Sequence, residues 1–513
     1  MFKTEENDGK MLFEDALNMA GFGLYGNMIT ILCGLIVVAF ASIVFSITFI
    51  VSTSACELGT TSAQQGLMAS GPIIGIIVGG VICGYLADKF GRRQVLLYAL
   101  ISGAIINAFA SLSPNWIVLL IFQTIACFCA AGQYSLAMTL VSECVPILMR
   151  NKAILSVTSI FLLALGIMAV IAMPVIPLTF SIHVPALGIY WNSWRLLLLV
   201  YSLPSLIAAV WLYLMMESPK FMYVKGREQE AIEIIQAIYR INHGKSAEAL
   251  NIKGLKLEAQ STGPLAPSKD QIKPLFTMPL LKYTFIVTSL FMCQQNAAFT
   301  TWLPSIANQF IRVVQTGEGT DKAICGILRD SRDIPVNPDL VPCSLNKMSL
   351  VFIMIICVLQ SGCNILLILV VNRVGRRNMA IIITVVCGLS GIVTNLVPNA
   401  YASAIFFVIF MISILNMGLY TAIAVHIFPT HLRALAVALT LTGGRLVNFA
   451  AVQILKLLLE VNCDLGFYLF NSIFTASAII LAFLPDERYL HKKRKEENTE
   501  EESFKMLESK LSS

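Results

Sequence analysis

Asp88-Lys89-Phe90-Gly91-Arg92-Arg93 and Asn372-Arg373-Val374-Gly375-Arg376-Arg377 are two forms of one short basic sequence, one in each half of the chain. A second pair follows them at almost the same distance, Glu143-x-x-Pro146-x-x-x-Arg150 and His426-x-x-Pro429-x-x-x-Arg433. Each hexapeptide stands where a long apolar run ends. Two related halves with apolar runs and basic turns predict a membrane transporter built from an internal repeat.

The composition supports a membrane protein. Of 513 residues, 57% are hydrophobic and only 13% are charged, and the mean hydropathy is +0.77. A soluble protein would carry roughly a quarter of charged residues. The net charge of +6 is gathered in short turns between apolar runs, without a basic stripe that interleaves aromatic residues. We therefore exclude nucleic acid as a partner and expect the lipid bilayer to surround most of the chain.

A helix needs roughly 20 apolar residues to cross a bilayer. The chain contains twelve such runs, which predict an all-α membrane protein with twelve transmembrane helices in two pseudo-repeated six-helix bundles. The predicted spans are 27–53, 65–87, 94–113, 116–142, 151–178, 194–215, 280–308, 347–371, 378–397, 400–425, 434–458 and 465–484.

The distribution of Lys and Arg predicts the orientation. The turns after spans two, four, eight and ten are basic, whereas the opposite short turns hold no Lys or Arg. By the positive-inside rule, both termini and the basic turns are cytosolic. The expected layout is a cytosolic N-terminal segment (1–26), a first bundle (27–216), a cytosolic loop (217–279), a second bundle (280–484) and a cytosolic tail (485–513). The second bundle includes a far-side loop at 309–346.

The two long loops carry further expectations. Gly226 to His243 predicts an amphipathic helix with Ala231, Ile234, Ile235 and Ile238 on its apolar face. In the far-side loop, Cys325 and Cys343 are candidates for a local disulfide in an oxidising compartment. Cys56 and Cys463 lie on the same side and are alternative partners.

The motifs resemble those of a known family. Gly84 to Arg93 looks like the loop 2–3 signature of the major facilitator superfamily. Glu143 to Arg150 and Glu217-Ser218-Pro219-Lys220-Phe221 resemble its sugar-porter and organic-ion-transporter branches. Three further strings are similar to insect transporters related to synaptic vesicle glycoprotein 2: Phe13-Glu14-Asp15-Ala16-Leu17, Gly21-Phe22-Gly23 and Trp302-Leu303-Pro304.

The resemblance implies alternating access, with a cytosolic gate closed by ion pairs. Gly84 would allow close helix approach, Asp88 would cap the following helix, and Gly91 would reverse the chain. The second half lacks the matching acids, because Asn372 and His426 occupy their positions. Either the first half holds the gate alone or His426 makes it pH-sensitive; a plain helix-end hydrogen bond of His426 is favoured. The gate candidates are Gly84, Asp88, Gly91, Arg92, Arg93, Glu143, Arg150, Arg376, Arg377, His426 and Arg433.

Polar residues inside spans are candidates for substrate contact, because their burial in lipid is costly. Each could instead form an interhelical hydrogen bond. The cluster Gln294, Gln295 and Asn296 in span seven is favoured, because sugar porters carry a Gln-Gln pair there. The full set of substrate-binding candidates is Gln133, Gln294, Gln295, Asn296, Gln360, Asn416, Tyr420, Arg445 and Asn448.

Arg445 is the charge deepest within a span. An unpaired guanidinium there must meet an anion, backbone carbonyls or water. The chain has no Asp or Glu between Leu340 and Leu459 that could neutralise it. The resemblance to organic-ion transporters associates an arginine here with anionic substrates. The alternative is an Arg445 that only binds carbonyls at a broken helix.

These observations predict a transporter of a small organic solute, anionic or neutral, in the plasma membrane or an intracellular vesicle. No acid lies inside a span, which favours a facilitator or exchanger over a proton symporter. The alternative is a non-transporting membrane scaffold that acts in trafficking. No nucleophile, paired acids or metal-ligand spacing indicates an enzyme, a cofactor or a metal. The oligomeric state is open, and a monomer is one option.

Overall fold

The computed structural model describes residues 11–244, 252, 254–256, 273–278, 280–294, 296–317, 320–333, 345–428 and 432–484. The chain is almost entirely helical because its long apolar runs can satisfy their backbone hydrogen bonds inside a bilayer only as helices. Local signals set several helix starts. Thr61 and Gln64 form a capping box at one helix start, and the Asn115 side chain accepts a hydrogen bond from the Val118 amide at another.

The first half contains eleven helices among the described residues. Helix α1 precedes the membrane region, α2 to α9 form the first bundle, and α10 and α11 follow it. Their bounds are α1 Phe13–Ala20, α2 Leu24–Val44, α3 Ser46–Leu58, α4 Ser62–Phe90, α5 Arg92–Ala110, α6 Trp116–Ala130, α7 Gln133–Cys144, α8 Ile147–Val175, α9 Ser193–Leu214, α10 Pro219–Val224 and α11 Glu228–His243.

The second half contains nine α-helices among the described residues, plus 3-10 turns at Lys273–Phe276 and Ile412–Ile414. The helices are α12 Leu280–Cys293, α13 Asn296–Thr316, α14 Ile324–Asp333, α15 Lys347–Val374, α16 Arg376–Val393, α17 Ala400–Met411, α18 Leu415–Ile427, α19 Arg433–Val461 and α20 Cys463–Ala482.

The twelve predicted spans correspond to these helices, taken singly or in consecutive pairs. In the described part of the chain, eleven segments are long and apolar enough to cross a membrane. The twelfth, span seven, is divided into α12 and α13 at Gln294, where the sequence predicts a continuous helix. The fold is therefore the expected pair of six-helix bundles, with one span interrupted at a polar triplet.

The two bundles meet along two seams, α4 against α19 and α8 against α15. Side-chain hydrogen bonds cross both seams. The Gln453 amide donates to the Ser70 hydroxyl at 2.9 Å, and the Asn364 amide donates to the Ser159 hydroxyl at 3.2 Å. Ser159 lies near the middle of α8, so the second of these contacts is deep in the membrane region.

The distribution of apolar packing distinguishes the two ends of the molecule. We call the end with Arg92 and Arg376 the basic end and the opposite one the disulfide end. A buried apolar cluster at the disulfide end contains residues of both bundles, including Phe49 and Phe299. Toward the basic end, one cluster belongs to the first half and another to the second half. Among the described residues, the bundles are thus packed together at one end and separated at the other.

Helices α1 and α11 cover the basic end of the first bundle. The amphipathic helix in the loop runs from Glu228 to His243, and its fully buried residues include Ile232, whereas Ile234 is only partly buried. The Asn242 side chain joins the two helices, because it accepts from the Tyr25 amide at 2.9 Å and donates to the Gly21 carbonyl at 2.8 Å. Two short parallel strands, β1 Met11–Leu12 and β4 Leu255–Lys256, complete this layer.

The disulfide end carries a small hairpin, β2 Ile182–Val184 and β3 Ile189–Trp191, and the helix α14 of the far-side loop. The expected Cys325–Cys343 disulfide is wrong, because Cys325 is bonded to Cys463 with 5.6 Å between their Cα atoms. The reason is the position of α14. Its first turn is fixed against the second bundle, where the Ile324 amide donates to Ser403, and this places Cys325 beside the start of α20. Cys343 lies outside the described residues, and Cys56 is also disulfide-bonded.

Candidate transport site and gate

Arg445 lies in the middle of α19, on the seam between the bundles. Its nearest neighbour across the seam is α4, because a methyl group built on Gly80 would lie 3.7 Å from a terminal guanidinium nitrogen. Glycine at position 80 therefore leaves room for the arginine head group. The guanidinium extends from the second bundle toward the first.

Within the described part of the chain, Arg445 has no hydrogen bond, ion pair or cation–π contact. The side chain is partly buried, so water reaches only part of it. An anionic group would lower the free energy of a half-desolvated guanidinium, because charge-assisted hydrogen bonds are strong at such sites. Among the described residues, Arg445 is thus a cation without a partner at the boundary between the two bundles.

Arg445 also lies where the bundles part. Toward the disulfide end, α4 and α19 are in contact, and the Cα of Gln453 lies within 3.6 Å of a methyl group built on Gly66. Gly84 lies one helical turn from Gly80 toward the basic end, and a methyl group built on it would meet no atom within 4 Å. The close helix approach expected at Gly84 is therefore wrong for this conformation.

Gln294 and Gln360 bind the backbone where span ten is interrupted. The Gln294 amide donates to the Ser413 carbonyl and the Gln360 amide donates to the Met411 carbonyl, both at 2.8 Å. The interruption between α17 and α18 removes helical partners from these carbonyls, and the two amides replace them. Gln360 is buried, and the buried Oε1 of Gln294 has no hydrogen bond to any described residue.

The other polar candidates are distributed between bundle interiors and the seam. Gln133 is fully buried in the first bundle and donates to the Ala99 carbonyl at 2.9 Å. Asn416 is fully buried in the second bundle, where it donates to Thr384 at 2.8 Å and lies 3.5 Å from the Tyr420 hydroxyl. These contacts correspond to the interhelical alternative. Asn448 is partly buried on α19 and its Oδ1 has no partner in the described structure; Gln295 and the side chain of Asn296 lie outside the described residues.

The gate motif of the first bundle forms a connected group of charges. Arg92 lies 3.3 Å from the Asp88 carboxylate and 3.4 Å from that of Glu143. Its guanidinium also lies 5.1 Å from the centre of the Phe221 ring. The Ser218 hydroxyl donates to Glu143 at 2.5 Å, which connects the group to the start of α10. Three of the expected gate residues thus meet at the basic end of the first bundle.

Two parts of the expected gate have other partners. The sequence suggests that Asp88 caps α5, but Asp88 does not do so. The Glu217 carboxylate accepts from the Arg93 amide at 2.9 Å instead, because Gly91 at φ +112° turns the start of α5 toward α9. Arg150 binds Glu14 of α1 at 2.7 Å rather than joining Arg92. The sequence signal for this pair was the acidic first turn of α1.

The two bundles repeat one contact of the motif. Arg93 donates to the Leu212 and Tyr213 carbonyls at the end of α9, at 3.2 and 2.6 Å. Arg377 donates to the Ala482 carbonyl at the end of α20, at 2.7 Å. Each arginine thus joins the third membrane span of its bundle to the sixth span. Arg376 and His426 contact neighbouring groups, and the side chain of Arg433 lies outside the described residues.

One ion pair, formed by a fully buried arginine and a glutamate that is 22% exposed, was missed in the sequence. Arg195 at the start of α9 is completely buried and donates to Glu57 of α3 at 2.7 Å, to the Ser111 and Ser113 carbonyls at 2.7 and 2.9 Å, and to the Tyr190 carbonyl at 3.0 Å. The available signal was a lone arginine opening one apolar run and a lone glutamate closing another. This pair holds the disulfide end of the first bundle together.

Comparisons with known proteins agree with the fold. Residues 31–452 match the model of the Major Facilitator Superfamily. The chain is similar to the svop-1 protein of Caenorhabditis elegans, with 26% identity over 264 residues, which are 52% of this chain and 48% of the worm protein. It is also similar to the niacin transporter NiaP of Acinetobacter baylyi, with 31% identity over 38% of this chain and 41% of the bacterial protein. The matched segments therefore span less than half the length of each relative.

A solved structure has the same architecture. The inward-open xylose transporter XylE from E. coli aligns with a TM-score of 0.65 and 15% sequence identity, over 90% of this chain and 97% of that one. At this identity the likeness concerns the fold alone. It nevertheless covers both bundles in a single superposition.

Proposed function

The chain belongs to the Major Facilitator Superfamily, and on that premise we propose that it moves a small organic anion across a membrane by alternating access. The observation that carries the proposal is Arg445, a partly buried cation with no partner in the described structure at the depth where the bundles part. A carboxylate bound there would touch both bundles. Binding would then couple to their relative movement, because only contacts that differ between two conformations shift their populations.

The proposed orientation places the basic end in the cytosol. Two independent features support it. The positive-inside rule assigns the turns with Arg92 and Arg376 to the cytosol, and the Cys325–Cys463 disulfide belongs in an oxidising compartment. The conformation is then inward-facing, since the bundles share one apolar cluster on the far side and have separate clusters on the cytosolic side. The plasma membrane and an intracellular vesicle both meet these requirements.

We further propose a facilitator or an exchanger. Proton symport in this fold needs a titratable group near the substrate, and the spans carry no acid in their interior. A neutral polyol is the second candidate substrate. It is favoured by the buried Oε1 of Gln294, which has no hydrogen bond within the described residues and could accept one from a hydroxyl group.

The test is uptake into proteoliposomes with a panel of benzoate, nicotinate, D-xylose and tetraethylammonium. We expect saturable uptake of a carboxylate that does not depend on a pH gradient. Arg445→Ala should lower that uptake roughly 10- to 100-fold, because a hydrogen bond to a charged group contributes about 1.5–3 kcal/mol. Arg373→Ala is the matched control, since it removes an exposed arginine at the basic end.

The outcomes separate the candidates. Carboxylate uptake that survives in folded, monodisperse Arg445→Ala protein would contradict the proposed anchor. Xylose uptake that is unchanged in Arg445→Ala and lost in Gln294→Leu would replace the anion with a neutral polyol. If none of the four solutes crosses in correctly folded wild-type protein, the transport proposal for these substrate classes fails.

A further inference from the structure

A cavity lies at the disulfide end of the second bundle, away from Arg445. Its volume is about 550 Å³, which is within the usual range for small-ligand sites. Helices α13, α14 and α19 form its walls. The lining residues are Trp302, Ser305, Ile306, Gln309, Leu328, Lys456, Leu459, Glu460 and Val461.

Lys456 provides the positive charge of this cavity. Its side chain is only 14% exposed, and its ammonium lies 5.0 Å from the centre of the Trp302 ring and 2.9 Å from the Glu460 carboxylate. The bond to Glu460 joins residues one helical turn apart. The Glu460 side chain is 33% exposed, so its carboxylate can turn to water. A carboxylate from solution would then take its place on the Lys456 ammonium.

Lys456 and Arg445 lie on the same face of α19. They are eleven positions apart, which corresponds to three helical turns plus about 20° and to about 16 Å along the axis. Trp302 lies between the two positions, because its indole donates to the Val452 carbonyl at 3.0 Å. The Trp302 side chain is 2% exposed and forms the floor of the cavity.

We propose that Lys456 forms an outer anion subsite, which binds an organic carboxylate before it reaches Arg445. The carboxylate binds the ammonium, and its apolar body lies against Ile306, Leu328 and Leu459. Trp302 separates this subsite from Arg445 in the present conformation, so that the two sites can be occupied at once. That the two sites share one ligand rests on the proposed function, whereas the outer subsite itself rests only on the cavity.

The experiment is equilibrium binding of radiolabelled benzoate to the purified full-length protein. Wild type should bind two benzoates, and Lys456→Met and Arg445→Ala should bind one each. Lys456→Arg should keep the outer site, because it keeps the positive charge. Glu460→Gln should bind there about threefold more tightly, since the competing carboxylate is gone. Lys282→Met removes an exposed lysine from α12 and is the matched control, with two sites expected.

The binding counts distinguish the two proposals. Any result in which folded wild type and Lys456→Met bind equal numbers of benzoates overturns the outer subsite, even if Arg445 remains essential for uptake. If Lys456→Met loses one site while uptake is independent of Arg445, the outer subsite stands and the proposed transport anchor fails. Weaker binding in Glu460→Gln would also contradict the proposal, because a merely structural Lys456–Glu460 pair would predict that sign.

Discussion

The two ends of the molecule hold their charged residues in different environments. At the disulfide end, Arg195 is completely buried and all three of its guanidinium nitrogens are hydrogen-bonded. At the basic end, the side chains of Arg92 and Asp88 are 17% and 47% exposed, and their pair is 3.3 Å long. The apolar packing differs in the same direction, since one cluster joins both bundles at the disulfide end and separate clusters serve them at the basic end.

This difference indicates which end can open at low cost. Ion pairs that water already reaches lose little when they exchange partners, whereas a buried pair leaves an uncompensated charge when it breaks. The basic end has separate apolar clusters, so a conformational change there does not expose a shared core. Its Arg92–Glu143 pair, with side chains 17% and 11% exposed, joins α5 and α7 of one bundle and does not have to break when the bundles move apart. The predictions below test this contrast.

The largest effect is expected from Arg195→Leu. The substitution leaves three backbone carbonyls without their donor, whereas the Glu57 carboxylate keeps bonds from Asn192 and Trp194. Because the lost guanidinium is completely buried, the cost should be about 3–5 kcal/mol. Denaturant titration of the purified protein should show this loss in the free energy of unfolding.

The control for Arg195 is Arg377→Leu at the basic end. Arg377 donates to one carbonyl from a partly exposed position, so its loss should cost only about 0.5–1.5 kcal/mol. Equal destabilisation by the two variants would show that burial does not distinguish the two ends.

The next effect concerns the disulfide. Cys325→Ser and Cys463→Ser should each lower the free energy of unfolding by about 2–4 kcal/mol, the usual contribution of a native disulfide. The double variant should be no less stable than either single one, because both changes remove the same bond. Cys363→Ser, which alters a free and partly exposed cysteine, is the control. Unchanged stability in Cys463→Ser would contradict the Cys325–Cys463 disulfide and would favour the Cys325–Cys343 disulfide instead.

The smallest effect is expected at the basic end. Glu14→Gln removes the partner of Arg150 from a pair whose side chains are 29% and 22% exposed, and the cost should be about 0.2–1 kcal/mol. Hydrogen exchange should be faster in α1, since this pair anchors it to α8. Asp15→Asn removes an exposed charge from the same turn and should leave the exchange of α1 unchanged. A global loss of stability in Glu14→Gln would mean that the basic end is built as rigidly as the disulfide end.

The spans could be predicted because hydropathy is a local property. Each apolar run must form a helix whatever its neighbours are, so the twelve spans and the two bundles follow from the sequence. The polar triplet at Gln294 marked the place where span seven is interrupted, although the run was predicted to be continuous. On the loop helix, the apolar face was predicted with Ile234, but Ile232 is the more buried of the two residues.

The partners of individual side chains could not be predicted, because they depend on distant elements. Arg195 and Glu57 are 138 positions apart, as are Cys325 and Cys463, and no local pattern joins them. In the sequence, Gln360 cannot be distinguished from a substrate ligand, because both are polar residues inside a span. In the structure, its amide donates to the Met411 carbonyl and replaces a helical partner of that carbonyl. A polar residue in a span therefore marks a place of polar contact, and only the fold decides whether the contact is with the backbone or with a ligand.

The ties made by Arg93 and Arg377 have a consequence for the energetics of rocking. Each arginine joins two helices of its own bundle, so neither tie has to break when one bundle rotates against the other. In the proposed alternating-access cycle, each bundle would keep this tie while it turns against the other. The repeated motif would then contribute nothing to the activation barrier, which would depend on the surfaces that slide past each other.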